Sequence, residues 1–185
     1  MKIKLHKIAL AIFIAGAFFS CGNDIEEVKE FQIREALPIE STTNVELLYS
    51  DSAKLKIKLQ APKLDRYLWK KPYLEFTEGL NLIMYDEDGE ADSQIKANYA
   101  INFEQDNRME AMNDVIVVNR YGEKLNTEHL IWDARSKKIF TDEFVKITTK
   151  EEILFGDGLE ANEDFTRYKI LNIKGTVSIN DDFEE

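Results

Sequence analysis

The sequence is short of cysteine, histidine and basic residues. One cysteine and two histidines in 185 residues exclude a disulfide within the chain and a cysteine-ligated zinc site. The 24 Lys and Arg against 35 Asp and Glu give a formal net charge of −11, which argues against nucleic acid and against adhesion to anionic headgroups. The fold must therefore depend on burial of apolar side chains.

The apolar run from Ile8 to Phe19 is too short to cross a bilayer, which needs about 20 apolar residues. Lys2, Lys4 and Lys7 precede the run without an acidic residue, and Ser20-Cys21-Gly22 closes it before an acidic stretch. A basic start, a short apolar core and a small residue at the junction are typical of a secretory signal peptide.

The junction at Cys21 resembles a bacterial lipobox, although Phe18 stands where an aliphatic residue is usual. The resemblance implies that a diacylglycerol is attached to the cysteine and that cleavage removes residues 1–20. Two or more acyl chains anchor a protein stably, whereas one chain is marginal. The alternatives are an ordinary signal peptide cut nearby and an uncleaved segment left in the membrane. We expect Cys21 to be a lipid anchor facing a non-cytoplasmic space.

The predicted mature chain is one domain on a tether. Loss of three lysines with the signal shifts the formal charge from −11 to −14, and 165 residues suffice for a single core. Residues 22–42 are Glu-rich with scattered apolar positions, which predicts a tether of low or partial order. Residues 21–42 are thus expected to be the tether together with the cysteine that the lipobox resemblance implies is lipidated. The folded domain is expected over residues 43–181.

Beyond residue 42 apolar and polar residues alternate. Leu55, Ile57 and Leu59 share one face of a predicted half-buried antiparallel strand. Similar stretches follow, separated by turn-forming residues, at 80–84, 115–118, 144–147, 153–155, 168–173 and 177–179. Nothing after residue 42 keeps a helical period for three turns. We predict an all-β domain, with Leu82, Met84, Val115, Val117, Val145 and Ile147 facing inward.

An internal repeat of the form apolar-x-small-x-x-apolar occurs four times. Its copies begin at Leu59, Ile95, Leu125 and Leu154, at spacings of 36, 30 and 29 residues. Repeats of this length that cannot bury their own apolar face predict a stack of hairpins along one axis. Such an antiparallel stack has open edges at both ends, where another strand can pair.

Three motifs follow one another in the second half of the chain: Thr127-Glu128-His129-Leu130-Ile131-Trp132-Asp133, the stretch from Lys138 to Ile147, and Gly156-Asp157-Gly158-Leu159-Glu160-Ala161. In this order they resemble the LptC family of lipopolysaccharide export. Two earlier stretches, Val45 to Asp51 and Ala61-Pro62, resemble the version of the family that has a lipoprotein anchor. The resemblance covers roughly residues 40–180.

The resemblance implies a single, elongated, open antiparallel β-jellyroll on the periplasmic face of the inner membrane. Its apolar groove would carry the acyl chains of lipopolysaccharide without any chemistry. The N-terminal edge would join LptF/LptG of the ABC transporter, and the C-terminal edge would join an LptA-like bridge protein. The six inward-facing residues are candidates for the groove, but alternation alone does not separate a lipid contact from plain core packing.

Other chemistry has little support. His129 lies between Glu128 and Asp133 in sequence. No nucleophile motif and no second histidine of the mature chain accompany it, so we interpret it as a surface histidine of a strand and not as the catalytic base of a hydrolase. Asp86-Glu87-Asp88-Gly89 predicts a hairpin turn rather than a calcium loop. Trp69 and Trp132 are expected as core or rim aromatics. The remaining alternative is a structural or adhesive β-lipoprotein with a closed core.

Overall fold

The structure, a computed structural model, describes residues 37–68 and 71–179. Cys21, most of the predicted tether and Trp69 lie outside these residues. The described residues hold no helix of the length and apolarity needed to span a membrane. They form eleven strands: β1 Glu40–Asp51, β2 Lys54–Tyr67, β3 Tyr73–Phe76, β4 Leu80–Tyr85, β5 Ala91–Ala97, β6 Tyr99–Phe103, β7 Arg108–Asn119, β8 Lys124–Asp133, β9 Lys138–Thr148, β10 Glu152–Asn162 and β11 Tyr168–Ser178.

All eleven strands belong to one antiparallel sheet, which confirms the predicted all-β jellyroll. The order is β11-β10-β9-β8-β7-β5-β4-β2-β3-β6, with β1 beside β2 and an additional pairing of β6 with β7. The stretches predicted at 168–173 and 177–179 are parts of the single strand β11. Strand β1 begins at Glu40, whereas the predicted domain begins at residue 43.

Long strands bend, so that the one sheet forms two layers. The first half of β2 pairs with β4, and its end pairs with β3. Strand β7 pairs with β6 over Arg108–Met112 and with β5 over Ile116–Asn119. The bend in β7 falls at Asn113 and Asp114, whose positive φ angles of 64° and 55° mark a bulge. The first layer contains β4 and β5, the second contains β3 and β6, and the other strands cross both.

The internal repeat coincides with these bends. In each copy the first apolar residue lies in the first layer and the last lies in the second. The small residue between them lies at the corner, where the layers converge; these residues are Ala61, Ala97, Thr127 and Gly156. A Cβ at Gly156 would lie 2.6 Å from the Asn172 carbonyl oxygen and would also meet the Ile170 side chain. Close approach of the two layers therefore explains why the middle position is small.

A single apolar core fills the space between the layers. Eleven of its larger side chains are essentially inaccessible to solvent: Phe76, Phe165, Leu82, Leu125, Leu130, Ile139, Ile147, Leu159, Val115, Val117 and Val145. Ten of them come from strands of both layers, and Phe165 comes from the loop between β10 and β11. Burial at about 25 cal/mol per Å² of apolar surface is the main stabilising contribution available to this cysteine-poor chain.

Candidate functional site

A row of inward-facing side chains crosses nine strands in the first layer. Each member is the direct cross-strand partner of the next, so the side chains point to the same face. From β1 to β11 the row is Leu47, Leu59, Leu82, Ile95, Val117, Leu125, Ile147, Leu154 and Thr176. The row runs the width of the first layer without a charged residue, and every member except Thr176 is apolar.

The six residues predicted to face inward all lie in the core, on β4, β7 and β9. Leu82, Val117 and Ile147 belong to the row, and Met84, Val115 and Val145 lie beside it. All six are buried, so the middle of the interior is closed. Their role as acyl-chain contacts stays a prediction.

Sequence reasoning did not assign Leu59, Ile95, Leu125 and Leu154 to the groove. The structure places them in the same row as Val117. The signal was present, because these four residues are the first positions of the four repeat copies. The first position of each repeat copy is therefore a member of the row, and these positions fall on β2, β5, β8 and β10.

The interior is open at both ends of the sheet. At the N-terminal end Leu47 and Tyr49 share the face of the buried Leu59, yet Leu47 is 43% exposed and Tyr49 is 59% exposed. At the C-terminal end Ile173, opposite Gly156 on β10, is 67% exposed. Apolar side chains thus continue the inner face out to solvent on both edge strands.

Both edge strands have one unpaired side among the described residues. Strand β1 pairs only with β2, and β11 pairs only with β10. An unpaired edge is a template for another strand, and strand addition there would continue both the sheet and its inner apolar face. The chain thus has two sites at which a protein of similar architecture could extend the groove.

The outer face of the first layer is polar. Gln60 donates to Glu46 at 3.0 Å, and Lys58 forms an ion pair with the same carboxylate at 3.0 Å. Hydrogen bonds from Lys58 and then Gln60 lower the pKa of Glu46. Charges and amides thus cover this part of the outer face, whereas the inner face is apolar.

The second layer contributes an inner row that contains a buried indole donor. Met109, Trp132, Ile139, Ala161 and Tyr168 are successive cross-strand partners on β7 to β11. Trp132 packs against the core, as expected for a core or rim aromatic. Its Nε1–H is buried and has no acceptor among residues 37–68 and 71–179, so an oxygen of a bound molecule could accept from it.

The predicted strand histidine and hairpin turn are both in the structure. His129 lies on β8, with its Nε2 3.2 Å from Glu110 Oε2 on β7. Asp86 Oδ1 accepts from the amides of Asp88 and Glu90 at 2.9 and 3.0 Å, and these bonds shape the turn between β4 and β5. The backbone bond from Glu90 is the main cause of the lowered pKa of Asp86. Within residues 37–68 and 71–179 no cluster of His, Cys, Asp and Glu could hold a metal ion.

Comparison with known proteins gives one finding. A family model described as "Lipopolysaccharide-assembly, LptC-related" matches residues 8–178, which is most of the chain. No curated protein matches the sequence significantly. The matched range includes every described strand, so the family assignment applies to the jellyroll and to both of its edges.

Proposed function

The chain belongs to the LptC-related family of lipopolysaccharide-assembly proteins, and from that premise we propose that its groove receives lipopolysaccharide from the inner-membrane ABC transporter. Membership gives the protein a part in lipopolysaccharide transport. The finer proposal is that LptF/LptG pairs with β1, that acyl chains move along the inner row, and that an LptA-like bridge protein pairs with β11. The chain itself performs no chemistry.

The continuous inner row carries this proposal. Nine cross-strand partners lead from one free edge to the other, with apolar side chains exposed on the inner face at both ends. A structural protein with a closed core needs neither the continuous row nor the exposed apolar ends. Unpaired edges with exposed apolar side chains would instead promote its aggregation unless they were covered. Partner strands at both edges would cover them.

The full burial of Val117 and Ile147 sets a condition on transport. Protein interiors are packed at close to crystalline density, which leaves no room for an alkyl chain in the closed state. The two layers must therefore separate locally as the chains pass. Transfer of acyl chains from one apolar groove to another exposes little new apolar surface to water, so the energy is expected to come from the transporter's ATPase.

The proposal is tested by photo-crosslinking in cells. Probes at Val117 and Ile147 face inward, and matched probes at Ile116 and Lys146 occupy the same strands on the opposite face. We expect lipopolysaccharide adducts only from the inward pair. Abundant protein without lipid adducts at Val117 and Ile147 would show a closed β-lipoprotein.

Edge probes test the partners separately from the lipid. A probe at Leu48 on β1 is expected to capture the transporter, and one at Val177 on β11 the bridge protein; both side chains are exposed. If both edges captured the same partner, the directional order of the proposal would be wrong.

We also propose that Cys21 anchors the chain to the periplasmic face of the inner membrane. The support is the lipobox-like sequence at the end of the apolar run. A Cys21→Ser chain is then expected to remain unprocessed, and the mass of the mature N-terminal peptide should include the diacylglycerol. A mature peptide that starts elsewhere, with an unmodified thiol, would contradict the anchor.

A further inference from the structure

The two layers meet at the corners and separate toward two rims of turns. The first rim consists of turns 52–53, 86–90, 119–123 and 149–151, and the second of turns 104–107, 134–137 and 163–167. The space between the rims is here called the mouth. Each strand that crosses both layers runs from one rim, through a bend at the corner, to the other rim. A hydrogen bond between the two rims therefore holds the mouth closed.

One loop of the second rim reaches across the mouth. The Phe165 carbonyl accepts a hydrogen bond of 3.0 Å from Nδ2 of Asn119, which ends β7 at the first rim. Among the side-chain hydrogen bonds of residues 37–68 and 71–179, it alone joins the two rims. The Phe165 ring is fully buried in the core, where it stacks on Tyr168 with ring centroids 5.0 Å apart. The loop thus covers the mouth over β8 to β10.

The surroundings of Tyr168 agree with this closure. Burial is the main cause of its raised pKa, followed by the charges of Glu123 and Glu152. Glu123 lies in the first rim and Glu152 begins β10 next to that rim, whereas Tyr168 begins β11 next to the second rim. Their influence on the pKa of Tyr168 agrees with the approach of the two rims at the Asn119–Phe165 bond.

The loop has hydrogen bonds of its own, but one side-chain bond holds it across the mouth. Phe165 has a φ of 55°, a left-handed conformation that is unfavourable for a bulky side chain. Within the loop, the Asn162 side chain bonds to Thr166 and Arg167, the Asp164 carboxylate accepts from the amide and the hydroxyl of Thr166, and the Phe165 amide donates to the Asn162 carbonyl. Across the mouth, the loop is held by the single side-chain bond from Asn119. Loss of the Asn119 bond would remove the one side-chain hydrogen bond across the mouth, and the strain at Phe165 would then favour release of the loop.

We propose that the β10–β11 loop is a latch, which must release Phe165 from the mouth before lipopolysaccharide can leave by the C-terminal edge. The inference rests on the proposed function. A lipid whose acyl chains lie inside and whose glycan lies outside must keep the mouth open along its path. A loop bonded across the mouth therefore stops such a lipid between β7 and β11, although it would not stop a free fatty acid.

The latch can be weakened without removing its supporting turn. In Asn119→Asp the side chain can still accept from the amides of Tyr121 and Glu123 but cannot donate to Phe165. Since Asn119 Nδ2 also donates to Glu123, the change is repeated with Glu123→Gln to supply a donor and remove the charge repulsion. The matched control is Asn162→Asp, which loses a bond to Thr166 inside the loop and leaves the rims joined.

Hydrogen exchange of the full-length chain in lipid nanodiscs tests the latch without lipopolysaccharide. Residues 163–168 are expected to exchange about tenfold faster in Asn119→Asp, with and without Glu123→Gln, which is the effect of losing one hydrogen bond. The Asn162→Asp chain should keep the protection of buried Phe165. Unchanged exchange of residues 163–168 in Asn119→Asp would overturn the latch.

Photo-crosslinking in cells tests what the latch controls. Probes at Leu82, before the loop, and at Ile173, beyond it, report lipopolysaccharide on either side. The Ile173 to Leu82 adduct ratio should rise several-fold in Asn119→Asp and stay unchanged in Asn162→Asp. Normal adducts with an unchanged ratio would overturn the latch alone, whereas absence of adducts at both positions in every chain would overturn the groove as well.

Discussion

At the scale of single residues, the corners of the long strands show how polar groups are accommodated inside an apolar fold. The ladder between β8 and β9 is interrupted between Asn126 and Ile131, which leaves backbone groups without strand partners. Thr127 lies in this interval, almost fully buried, and its Oγ1 donates to the Phe144 carbonyl at 2.9 Å. On β9, Thr141 Oγ1 accepts from the Glu143 amide at 3.1 Å. Small side chains with hydroxyls thus fit the corner and satisfy its backbone.

Replacement of Thr127 by Val should therefore destabilise the domain despite similar volume. The Phe144 carbonyl would lose its donor, and a buried unsatisfied group costs about 1–3 kcal/mol. Urea denaturation would measure the change, with Thr43→Val on exposed β1 as the control, expected within about 0.5 kcal/mol of the parent. Equal stability of the Thr127→Val and Thr43→Val chains would mean that water replaces the hydroxyl.

At the scale of the strand, the pairing of β10 with β11 depends on glycine at the corner. Gly158 has a φ of 76° at the point where the register of β10 against β9 shifts. Gly156 lies under the Ile170 side chain and close to the Asn172 carbonyl of β11. A side chain at Gly156 would push against backbone that cannot move without breaking the ladder. Gly156 on β10 therefore helps to fix the position of β11, the edge strand to which a partner can pair.

Gly156→Ala should weaken this edge, and Gly175→Ala should not. The first adds a methyl group 2.6 Å from a backbone oxygen, and overpacking of this kind costs about 1–3 kcal/mol. A methyl group at Gly175, on β11, would meet no atom within 4 Å, so this substitution is expected to be neutral or slightly stabilising. Hydrogen exchange of residues 168–178 would separate the two, and equal exchange in both variants would contradict the steric account.

At the scale of the molecule, the inner row links the two edges, and its exposed ends are the features that partners would use. The inner face is apolar across the sheet and the chain is strongly acidic, so the inner face is the surface suited to acyl chains. Leu47 and Leu48 on β1 are adjacent and exposed, but their partners on β2 are Leu59 inside and Lys58 outside. Substitutions at Leu47 and Leu48 therefore test the inner face and the outer face of the same strand separately.

Leu47→Glu should block lipid transport, whereas Leu48→Glu should leave it intact. A carboxylate on the inner face would have to be desolvated as acyl chains pass, and we expect lipopolysaccharide adducts at Val117 to fall at least about tenfold. Neither variant should unfold the domain, because both leucines are exposed. Similar adduct yields from the two variants would indicate that lipid does not pass the N-terminal end of the row.

Local patterns predicted many of the strands and the residues that share their inner faces. Alternation over Leu55 to Leu59 is a property of consecutive residues, and so is the turn at Asp86 to Gly89. The same local reasoning did not predict β1, because the exposed side chains of Glu40–Asp51 follow no clear period-two pattern. It also divided β11 in two, because this edge strand lacks a buried face that would enforce regular alternation.

The sequence by itself determined the all-β class, the repeat and the family, because strand alternation and corner residues recur at short range along the chain. Only the tertiary structure decided what those residues do together. The role of the small repeat residues depends on two layers converging, and the inner row depends on pairings between nine strands. Phe165 stands in a polar loop that no alternation marks as buried. Its place across the mouth follows from contact with Asn119, 46 residues away, and such contacts depend on the path of the whole chain.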